Sequence, residues 1–304
     1  MEQNATLTKD KKGAINVSTF SQKIHSYLRH PFSLLVWIIT ILAALLTAAS
    51  FVYLVLYILI KGVPYLRPEL FSWTYDSNNV SMLPSIINTF LLTALSLVIS
   101  VPLGIFAAIY MVEYAKKGNR MVKFIRVTAE TLSGIPSIVY GLFGMIFFVG
   151  VLKMQLSLLS GSLTVAIMVL PTIMRTTEEA LLSVPQSYRE GSFGLGAGKL
   201  RTVFRIVLPS AVPGILSGVI LATGRIVGET AALIYTAGTM AKVPNNLFAS
   251  ARTLSVHMYL LSNEGLHTNE AFATAVVLLV FVMLINMLAN FVARRLSAKN
   301  AEND

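Results

Sequence analysis

The chain has 304 residues, of which 55% are hydrophobic and only 12% are charged, and its formal net charge is +10. A soluble domain cannot bury so large an apolar fraction, so the composition indicates an integral membrane protein. The sequence has no cysteine, which excludes disulfides and thiolate metal sites, and its four histidines lack the spacing of a metal centre. The positive charges flank apolar segments and form no patch with interleaved aromatic residues, so we expect lipid and no nucleic acid as a partner.

Six apolar stretches are each long enough to cross a bilayer. They cover residues 32–60 and 82–112, the two halves of 131–174 on either side of a polar turn near 153–160, then 209–238 and 271–293. The first stretch is too long for the core of a signal peptide and begins after about 30 residues, so we expect an uncleaved anchor. The sequence therefore predicts an all-α integral membrane protein with six transmembrane helices.

The basic residues lie mainly on one side of these predicted helices. Seventeen fall before helix one, between helices two and three, between helices four and five, or after helix six: Lys9, Lys11, Lys12, Lys23, Arg29, Lys116, Lys117, Arg120, Lys123, Arg126, Arg189, Lys199, Arg201, Arg205, Arg294, Arg295 and Lys299. The opposite side holds only Lys61, Arg67, Lys153, Lys242 and Arg252. The positive-inside rule then predicts that both termini and the segment between helices four and five are cytoplasmic.

The segment between helices four and five carries a motif with fixed spacing. It contains Glu190-Gly191-Ser192, three spacers, Gly196, nine further residues, and Ile206-Val207-Leu208-Pro209. The motif resembles the cytoplasmic coupling loop of ATP-binding-cassette (ABC) importer permeases, in which two alanines stand in place of Gly191 and Ser192. That resemblance implies a short helix within residues 183–209 that docks into a groove on a separate ATPase, with Glu190 meeting a basic residue there. A solvated basic loop is the alternative.

The same segment contains a run that superficially matches a phosphate-binding P-loop, Gly196-Ala197-Gly198-Lys199. A P-loop needs a glycine five positions before Gly198 and a hydroxyl residue after the lysine, but Phe193 and Leu200 stand there. We therefore expect no ATP hydrolysis and no cofactor in this chain, and the resemblance implies that ATP and magnesium bind to the partner ATPase. An intramembrane enzyme is disfavoured because the predicted spans contain no histidine pair, paired carboxylates or nucleophile with a base.

Two further segments narrow the resemblance to one branch of these permeases. They are residues 133–144, which read Ser-Gly-Ile-Pro-Ser-Ile-Val-Tyr-Gly-Leu-Phe-Gly, and residues 224–238, which begin Gly-Arg-Ile-Val-Gly-Glu-Thr. Both resemble the inorganic phosphate permeases, and residues 229–238 are more similar to the PstA type than to its PstC-type sister. The resemblance implies the type I ABC importer permease fold and phosphate import by alternating access across the bacterial cytoplasmic membrane. It also implies a PstC-type permease, two PstB-type ATPase subunits and an extracytoplasmic PstS-type binding protein as partners.

This resemblance divides the chain into three parts. Residues 1–30 are expected to be a cytoplasmic tail, 31–296 the six-helix permease domain, and 297–304 a second cytoplasmic tail. Import of molybdate, sulfate or an organic solute by the same architecture is an alternative. An ion-coupled secondary transporter is another, although it would not need the spacing of the coupling loop.

Two ionisable residues lie inside the predicted fifth helix. A charge near the bilayer centre costs about 2.5–3.5 kcal/mol on insertion scales, so such groups usually face a bundle interior or a pathway. Arg225 lies about 24 Å along the helix, near mid-membrane, and Glu229 is expected one turn further on the same face. The Arg225 guanidinium suits a tetrahedral oxyanion, and the Glu229 carboxylate can accept the hydroxyl proton that phosphate has and sulfate lacks. A buried ion pair between Arg225 and Glu229 is the alternative.

Arg175 is a second candidate for the substrate pathway. A fourth helix that starts near Gly161 would place Arg175 in its cytoplasmic half. Phosphate permeases have transport-associated arginines that match Arg175 and Arg225, so the resemblance favours an anion contact. The alternative is a basic anchor that reaches the inner membrane interface.

The third predicted helix is unusually rich in residues that weaken a helix. Four of them fall within eleven positions: Gly134, Pro136, Gly141 and Gly144. We therefore expect this helix to bend or break. Backbone amides freed by the break, together with the hydroxyls of Ser133, Ser137 and Tyr140, would then be able to bind an oxyanion. Close packing of helices through these small residues is the alternative.

Overall fold

A computed structural model describes residues 31–116 and 118–301 of the chain. The predicted tail over 1–30, with five of the basic residues used to orient the membrane, lies outside the described residues. Lys117 and residues 302–304 of the predicted C-terminal tail also lie outside them. The chain consists of two units, Met1–Tyr57 and Ile58–Asp304. Every regular element in the described residues is helical.

The α-helices of the described residues are, in chain order, α1 (Pro31–Gly62), α2 (Leu83–Ile109), α3 (Arg120–Ser133), α4 (Ser137–Gly144), α5 (Leu158–Ser183), α6 (Gln186–Gly194), α7 (Lys199–Thr202), α8 (Leu208–Val227), α9 (Ala231–Ile234), α10 (Leu254–Glu264) and α11 (Thr268–Ala301). Wide π-helical turns extend α2 over Tyr110–Tyr114 and α4 over Met145–Val151, and a third, Val203–Val207, joins α7 to α8. Two 3₁₀ turns, Val63–Tyr65 and Pro68–Phe71, follow α1.

Six segments of the described chain can cross a membrane when a bent pair of helices counts as one. The five single spans are Phe32–Tyr65, Leu83–Tyr114, Leu158–Ser183, Lys199–Val227 and Thr268–Phe291. The sixth is the pair Arg120–Ser133 and Ser137–Val151, whose two halves meet at an angle of 103°. The prediction of an all-α membrane protein with six transmembrane segments is therefore confirmed.

The expected break in the third span lies between α3 and α4. Pro136 has no N–H and disfavours a helical conformation of the residue before it, so the helix cannot continue through Ile135. The Tyr140 hydroxyl donates to the Leu132 carbonyl across the break, over 2.8 Å. This hydrogen bond joins the two halves of the broken span.

The small residues of α4 serve close packing, which was the alternative interpretation of this segment. A Cβ added to Gly141 would lie 2.7 Å from the Ala232 Cα, and one added to Gly144 would lie 2.3 Å from Thr164 Oγ1. Neither position has room for a larger side chain. α4 is therefore held tightly against α9 and α5, and the break at Pro136 fixes where it begins.

Helices α2, α5 and α8 form the centre of the second unit. Three buried apolar clusters hold this unit together, built around Leu92, Met168 and Ile226, around Leu181, Val203 and Val207, and around Met82, Leu254 and Ala273. The first cluster contains residues from all three central helices. Since burial of large apolar side chains is the main stabilising term, these three helices fix the positions of the polar residues they carry.

The prediction of one continuous fifth helix over 209–238 is wrong. α8 ends at Val227, and the chain turns before the short helix α9 begins at Ala231. The Glu229 carboxylate accepts the Ala232 amide over 3.0 Å and so caps α9, while the Ser255 hydroxyl donates to the Glu229 carbonyl over 2.6 Å. Glu229 therefore does not follow Arg225 by one turn on the same helix face.

The segment between α9 and α10 is fastened to the beginning of α2. The Asn88 side-chain amide donates to the carbonyls of Lys242 and Arg252, over 2.9 and 3.1 Å. Thr89 Oγ1 accepts the Leu254 amide over 2.8 Å. His257 of α10 is fully buried beneath this segment, which therefore caps the bundle.

We expect this cap to weaken at mildly acidic pH. Burial, together with the charge of Arg252, lowers the pKa of His257 to about 4, from an ordinary value of about 6.5. The stability that neutral His257 contributes is therefore complete above about pH 6.5 and is lost as the pH falls towards 4, because the unfolded chain then binds a proton that the folded chain excludes. The thermal unfolding midpoint of the detergent-purified protein should fall over this range.

The pH dependence of this midpoint is compared in two variants. His257→Gln removes the buried histidine, and His267→Gln is the control because the His267 side chain is 30% exposed. His257→Gln should lose most of the pH dependence, and His267→Gln should retain it. Equal slopes of midpoint against pH in the wild type and His257→Gln would contradict the assignment.

Candidate functional site

The predicted coupling segment folds into α6 and α7, joined by a tight turn. Gly196 in this turn has φ +80°, a conformation that favours glycine. Glu190 and Gly191 lie on the exposed side of α6. Ser192 is buried instead, and its Oγ lies 2.8 Å from Thr202 Oγ1. The first half of the motif therefore presents an outer surface and ties α6 to α7.

The second half of the motif lies within a helix. Ile206 belongs to the π-helical turn Val203–Val207, and Leu208 and Pro209 begin α8. Leu208 packs against the buried cluster that contains Val207. These residues therefore connect the coupling segment to the centre of the bundle.

The outer surface of α6 and α7 is rich in apolar side chains. Leu195 is 92% exposed and Leu200 is 67% exposed. Three further large side chains are exposed in the same segment, Tyr188, Phe193 and Phe204. Five large exposed apolar side chains within 17 residues, close in sequence to the charged Glu190, favour a protein interaction site.

A buried ion pair anchors α6 to the bundle. Arg189 Nε and Nη2 donate to Glu113 Oε1 over 3.0 and 2.7 Å, and the side chains are only 11% and 8% exposed. The same guanidinium donates to the carbonyls of Val184 and Leu181, each over 2.9 Å. Arg189 therefore joins the beginning of α6 to the ends of both α2 and α5.

The sequence reasoning missed this anchor, because it treated Arg189 only as one of many basic residues on the cytoplasmic side. One signal was available. Glu113 is the only acidic residue between Asp76 and Glu130, and it stands where a transmembrane helix ends among basic residues. A lone carboxylate in that position favours a specific ion pair over a solvated charge.

We expect Glu113→Gln to loosen α6 without unfolding the bundle. Removing one partner of a buried ion pair leaves the other charge uncompensated, which costs about 3–5 kcal/mol. Hydrogen–deuterium exchange of the purified protein should become faster in residues 186–202 and remain unchanged in α2 and α8. The exposed Glu190 offers a matched control, because Glu190→Gln removes the same charge from the same segment. Unchanged exchange in Glu113→Gln would show that the ion pair does not hold α6.

A cavity of about 510 Å³ lies between α3, α5 and α8. Its lining includes Arg175, Arg126, Glu178 and Leu221. α5 begins at Leu158, so Arg175 lies in its C-terminal half, as expected. The cavity is therefore on the side of the bundle nearer the coupling segment.

The arginines of this cavity are paired with glutamates. Arg175 Nε donates to Glu179 Oε1 over 3.1 Å, and both side chains are more than 60% exposed. Arg126 Nη2 lies 2.5 Å from Glu178 Oε1. Glu178 is only 12% exposed, so the exposed pair is the one between Arg175 and Glu179. Exposed pairs contribute at most about 1 kcal/mol, so Arg175 can exchange its partner at little cost.

Arg225 lies in the last turn of α8, one turn beyond the cavity residue Leu221, and is half-buried. The described part of the chain places no carboxylate oxygen within 4.0 Å of its guanidinium, so Arg225 and Glu229 form no ion pair there. The next residue, Ile226, shares a buried cluster with Tyr140 of α4. Arg225 therefore lies near α4, whereas Arg175 lines the cavity.

The other predicted pathway residues differ in burial and in their hydrogen-bond partners. Glu229 is 7% exposed and its carboxylate caps α9. The Tyr140 ring is buried, and its hydroxyl proton is used by the Leu132 carbonyl. Ser137 is half-buried in the first turn of α4. Arg225 is therefore the charged group of this set that is not already held by the fold.

The sequence matches known membrane proteins over most of its length. The family model described as "Binding-protein-dependent transport system inner membrane component" matches residues 100–301. The chain is 34% identical over 282 residues to the probable ABC transporter permease protein YqgI of Bacillus subtilis (strain 168), which covers 86% of this chain and 95% of that protein. It is 35% identical over 204 residues to the phosphate transport system permease protein PstA 1 of Mycobacterium tuberculosis (strain CDC 1551 / Oshkosh), covering 65% and 66%.

A solved structure with a similar fold comes from a bacterial ABC transporter involved in the import of the acidic polysaccharide alginate. The TM-score is 0.61 at 18% sequence identity, and the match covers 90% of this chain and 99% of the other. This likeness concerns the fold, and it confirms the architecture expected from the sequence.

Proposed function

We propose that this chain, which belongs to the family of binding-protein-dependent transport system inner membrane components, imports inorganic phosphate as the PstA-type permease. The family and the fold make it a multi-pass permease subunit of an ABC importer. The choice of an anionic substrate rests on one observation: Arg225 has no carboxylate within 4.0 Å in the described residues. The similarity to the phosphate permease PstA 1 supports phosphate as that anion.

An arginine inside a transmembrane helix needs a compensating partner. Desolvating its charge costs several kcal/mol, on the order of 2.5–3.5 on insertion scales, unless an anion or water-filled space lies beside it. No glutamate fills that role for Arg225 in the described residues, so an anion in transit would be the group that compensates its positive charge. A guanidinium offers two parallel N–H donors to a tetrahedral oxyanion such as phosphate.

Glu229 would discriminate between phosphate and sulfate. Its Oε1 accepts the Ala232 amide, and its Oε2 is the atom proposed to accept a hydroxyl proton from phosphate. Sulfate has no such proton at neutral pH, so it cannot donate a hydrogen bond to the Glu229 carboxylate. The buried carboxylate oxygen would then have no donor, which disfavours binding of sulfate relative to phosphate.

The cavity lined by Arg175 would receive the anion on the cytoplasmic side. Arg175 is more than 60% exposed and its pairing with Glu179 is weak, so phosphate can replace the glutamate. α8 contributes Arg225 above and Leu221 at the cavity wall. The proposed route therefore runs along α8, from Arg225 towards Arg175.

Transport would be driven by partners that dock on the coupling segment. We propose that the importer contains two PstB-type ATPase subunits, which carry ATP and magnesium, and that one of them binds α6 and α7 through Glu190 and the exposed apolar side chains. A PstC-type permease and a PstS-type binding protein would complete the importer. In this arrangement residues 31–296 form the permease domain, and both termini, in the tails 1–30 and 297–304, are cytoplasmic.

Arg225→Gln tests the substrate route. Loss of a charge-assisted contact of about 1.5–3 kcal/mol should reduce ATP-dependent phosphate uptake about 10- to 100-fold in proteoliposomes that contain the whole complex. Lys61→Gln removes an exposed basic residue and should leave uptake unchanged. Assembly and ATPase activity are measured on the same preparations. Undiminished uptake by an assembled Arg225→Gln complex would remove Arg225 from the route.

Glu229→Gln tests anion selectivity. Glutamine can still accept the Ala232 amide, so the cap on α9 and the thermal stability should be retained, whereas its second terminal atom becomes an N–H donor. We expect sulfate to inhibit phosphate uptake more strongly in this variant than in the wild type, by about tenfold in concentration. Selectivity identical to that of the wild type would show that Glu229 has only its capping role.

A further inference from the structure

We propose that a pocket at the end of the bundle opposite the coupling segment is an anion-binding site that receives the substrate before it reaches Arg225. The pocket has a volume of about 500 Å³, and its lining includes Tyr75, Thr239, Lys242, Ser250 and Arg252. It adds a step to the proposed phosphate import and rests on that function.

The position of the pocket follows from α2. Asn88, near the beginning of this helix, binds the backbone of Lys242 and Arg252, while Glu113 at the other end binds Arg189. These two points are about 37 Å apart along the helix, at 1.5 Å per residue. The pocket and the coupling segment therefore lie at opposite ends of a membrane-spanning helix.

The electrostatics of the pocket favour an anion. Two of its lining residues, Lys242 and Arg252, are basic, and none of the described lining residues is acidic. Neither cation has a carboxylate within 4.0 Å in the described part of the chain. These are two of only five basic residues that the sequence places on this side of the membrane, so their convergence in one concave site concentrates positive potential there.

Arg252 is fixed in position while part of its guanidinium stays available. Its Nε donates to the Thr239 carbonyl over 2.7 Å, and its Nη1 lies 3.3 Å from His257 Nδ1. The guanidinium carbon is 5.1 Å from the centre of the Tyr75 ring. These contacts use Nε, Nη1 and one face of the group, and they leave Nη2 to donate to a ligand. Such a held guanidinium loses little entropy when it binds an oxyanion.

The wall of this pocket continues into the segment that carries Glu229. The Ser250 hydroxyl and the Ala251 amide both bind the Ala237 carbonyl, which follows α9 directly. The Ser255 hydroxyl binds the Glu229 carbonyl at the other end of α9. The segment that carries Arg252 is therefore bound to the chain on both sides of α9, which links the pocket to the turn that holds Glu229.

The pocket fits a small hydrated oxyanion that binds weakly and is released. Its volume is far larger than one phosphate ion, so water must fill the remainder and the contacts are few. Two cations that have no carboxylate within 4.0 Å in the described residues raise the local concentration of a divalent anion and speed its arrival by a factor on the order of ten or more. The pocket would thus bind phosphate first and release it towards Arg225.

The experiment compares Lys242→Gln, Arg252→Gln, the double variant and the control Lys61→Gln in proteoliposomes that contain the whole complex. Inorganic phosphate is supplied on the saturated binding protein, whose concentration is varied at low and high salt. We expect maximal uptake to fall about tenfold in the double variant, with the half-saturating concentration of binding protein unchanged and the salt dependence reduced. Because the Lys242 side chain is exposed, Lys242→Gln alone tests the proposal without disturbing the cap.

Two outcomes would overturn the proposal. Wild-type maximal uptake in the double variant would show that the pocket does not handle the substrate. A raised half-saturating concentration with unchanged maximal uptake would assign the two cations to docking of the binding protein. Failure of the wild-type complex to import phosphate at all would instead contradict the proposed function, so the two failures are distinguishable.

Discussion

The buried ion pair between Arg189 and Glu113 is the interaction on which the coupling end of this molecule depends. One guanidinium binds the end of α2 through Glu113 and the end of α5 through the carbonyls of Leu181 and Val184. α6 therefore cannot tilt independently of these two helices, which pack with α8 at the centre of the bundle. A force applied to the exposed face of α6 is passed directly to the helices that would line the substrate route.

Positive charge occurs at three levels along the proposed route. Arg252 at one end and Arg225 in α8 have no carboxylate within 4.0 Å among the described residues, whereas Arg175 in the inner cavity pairs with Glu179. An unpaired arginine attracts an anion strongly, and a paired one competes for it less. The arrangement favours entry and capture at the first two levels and release at the third.

Local signals in the sequence predict much of this structure. Apolar stretches of twenty or more residues define the spans, and Pro136 marks the break of the third one, because both signals depend on neighbouring residues alone. The end of α8 has a local signal in Gly228, which follows Val227 as the C-cap. The turn after it could not be predicted, since it is held by Ser255 and by the capping of α9 by Glu229. The Arg189–Glu113 pair joins residues 76 positions apart, and no spacing rule connects them. Sequence reasoning thus located Arg225 but missed both the anchor of α6 and the turn that places Glu229.

The most direct test of this account is the number of phosphate ions imported per ATP hydrolysed by the complete complex, measured for the wild type and for Glu113→Gln. A rigid link between α6 and the central helices predicts that Glu113→Gln hydrolyses ATP yet imports markedly less phosphate for each ATP. An unchanged ratio would contradict the account, because transport would then not require α6 to be held to α2 and α5.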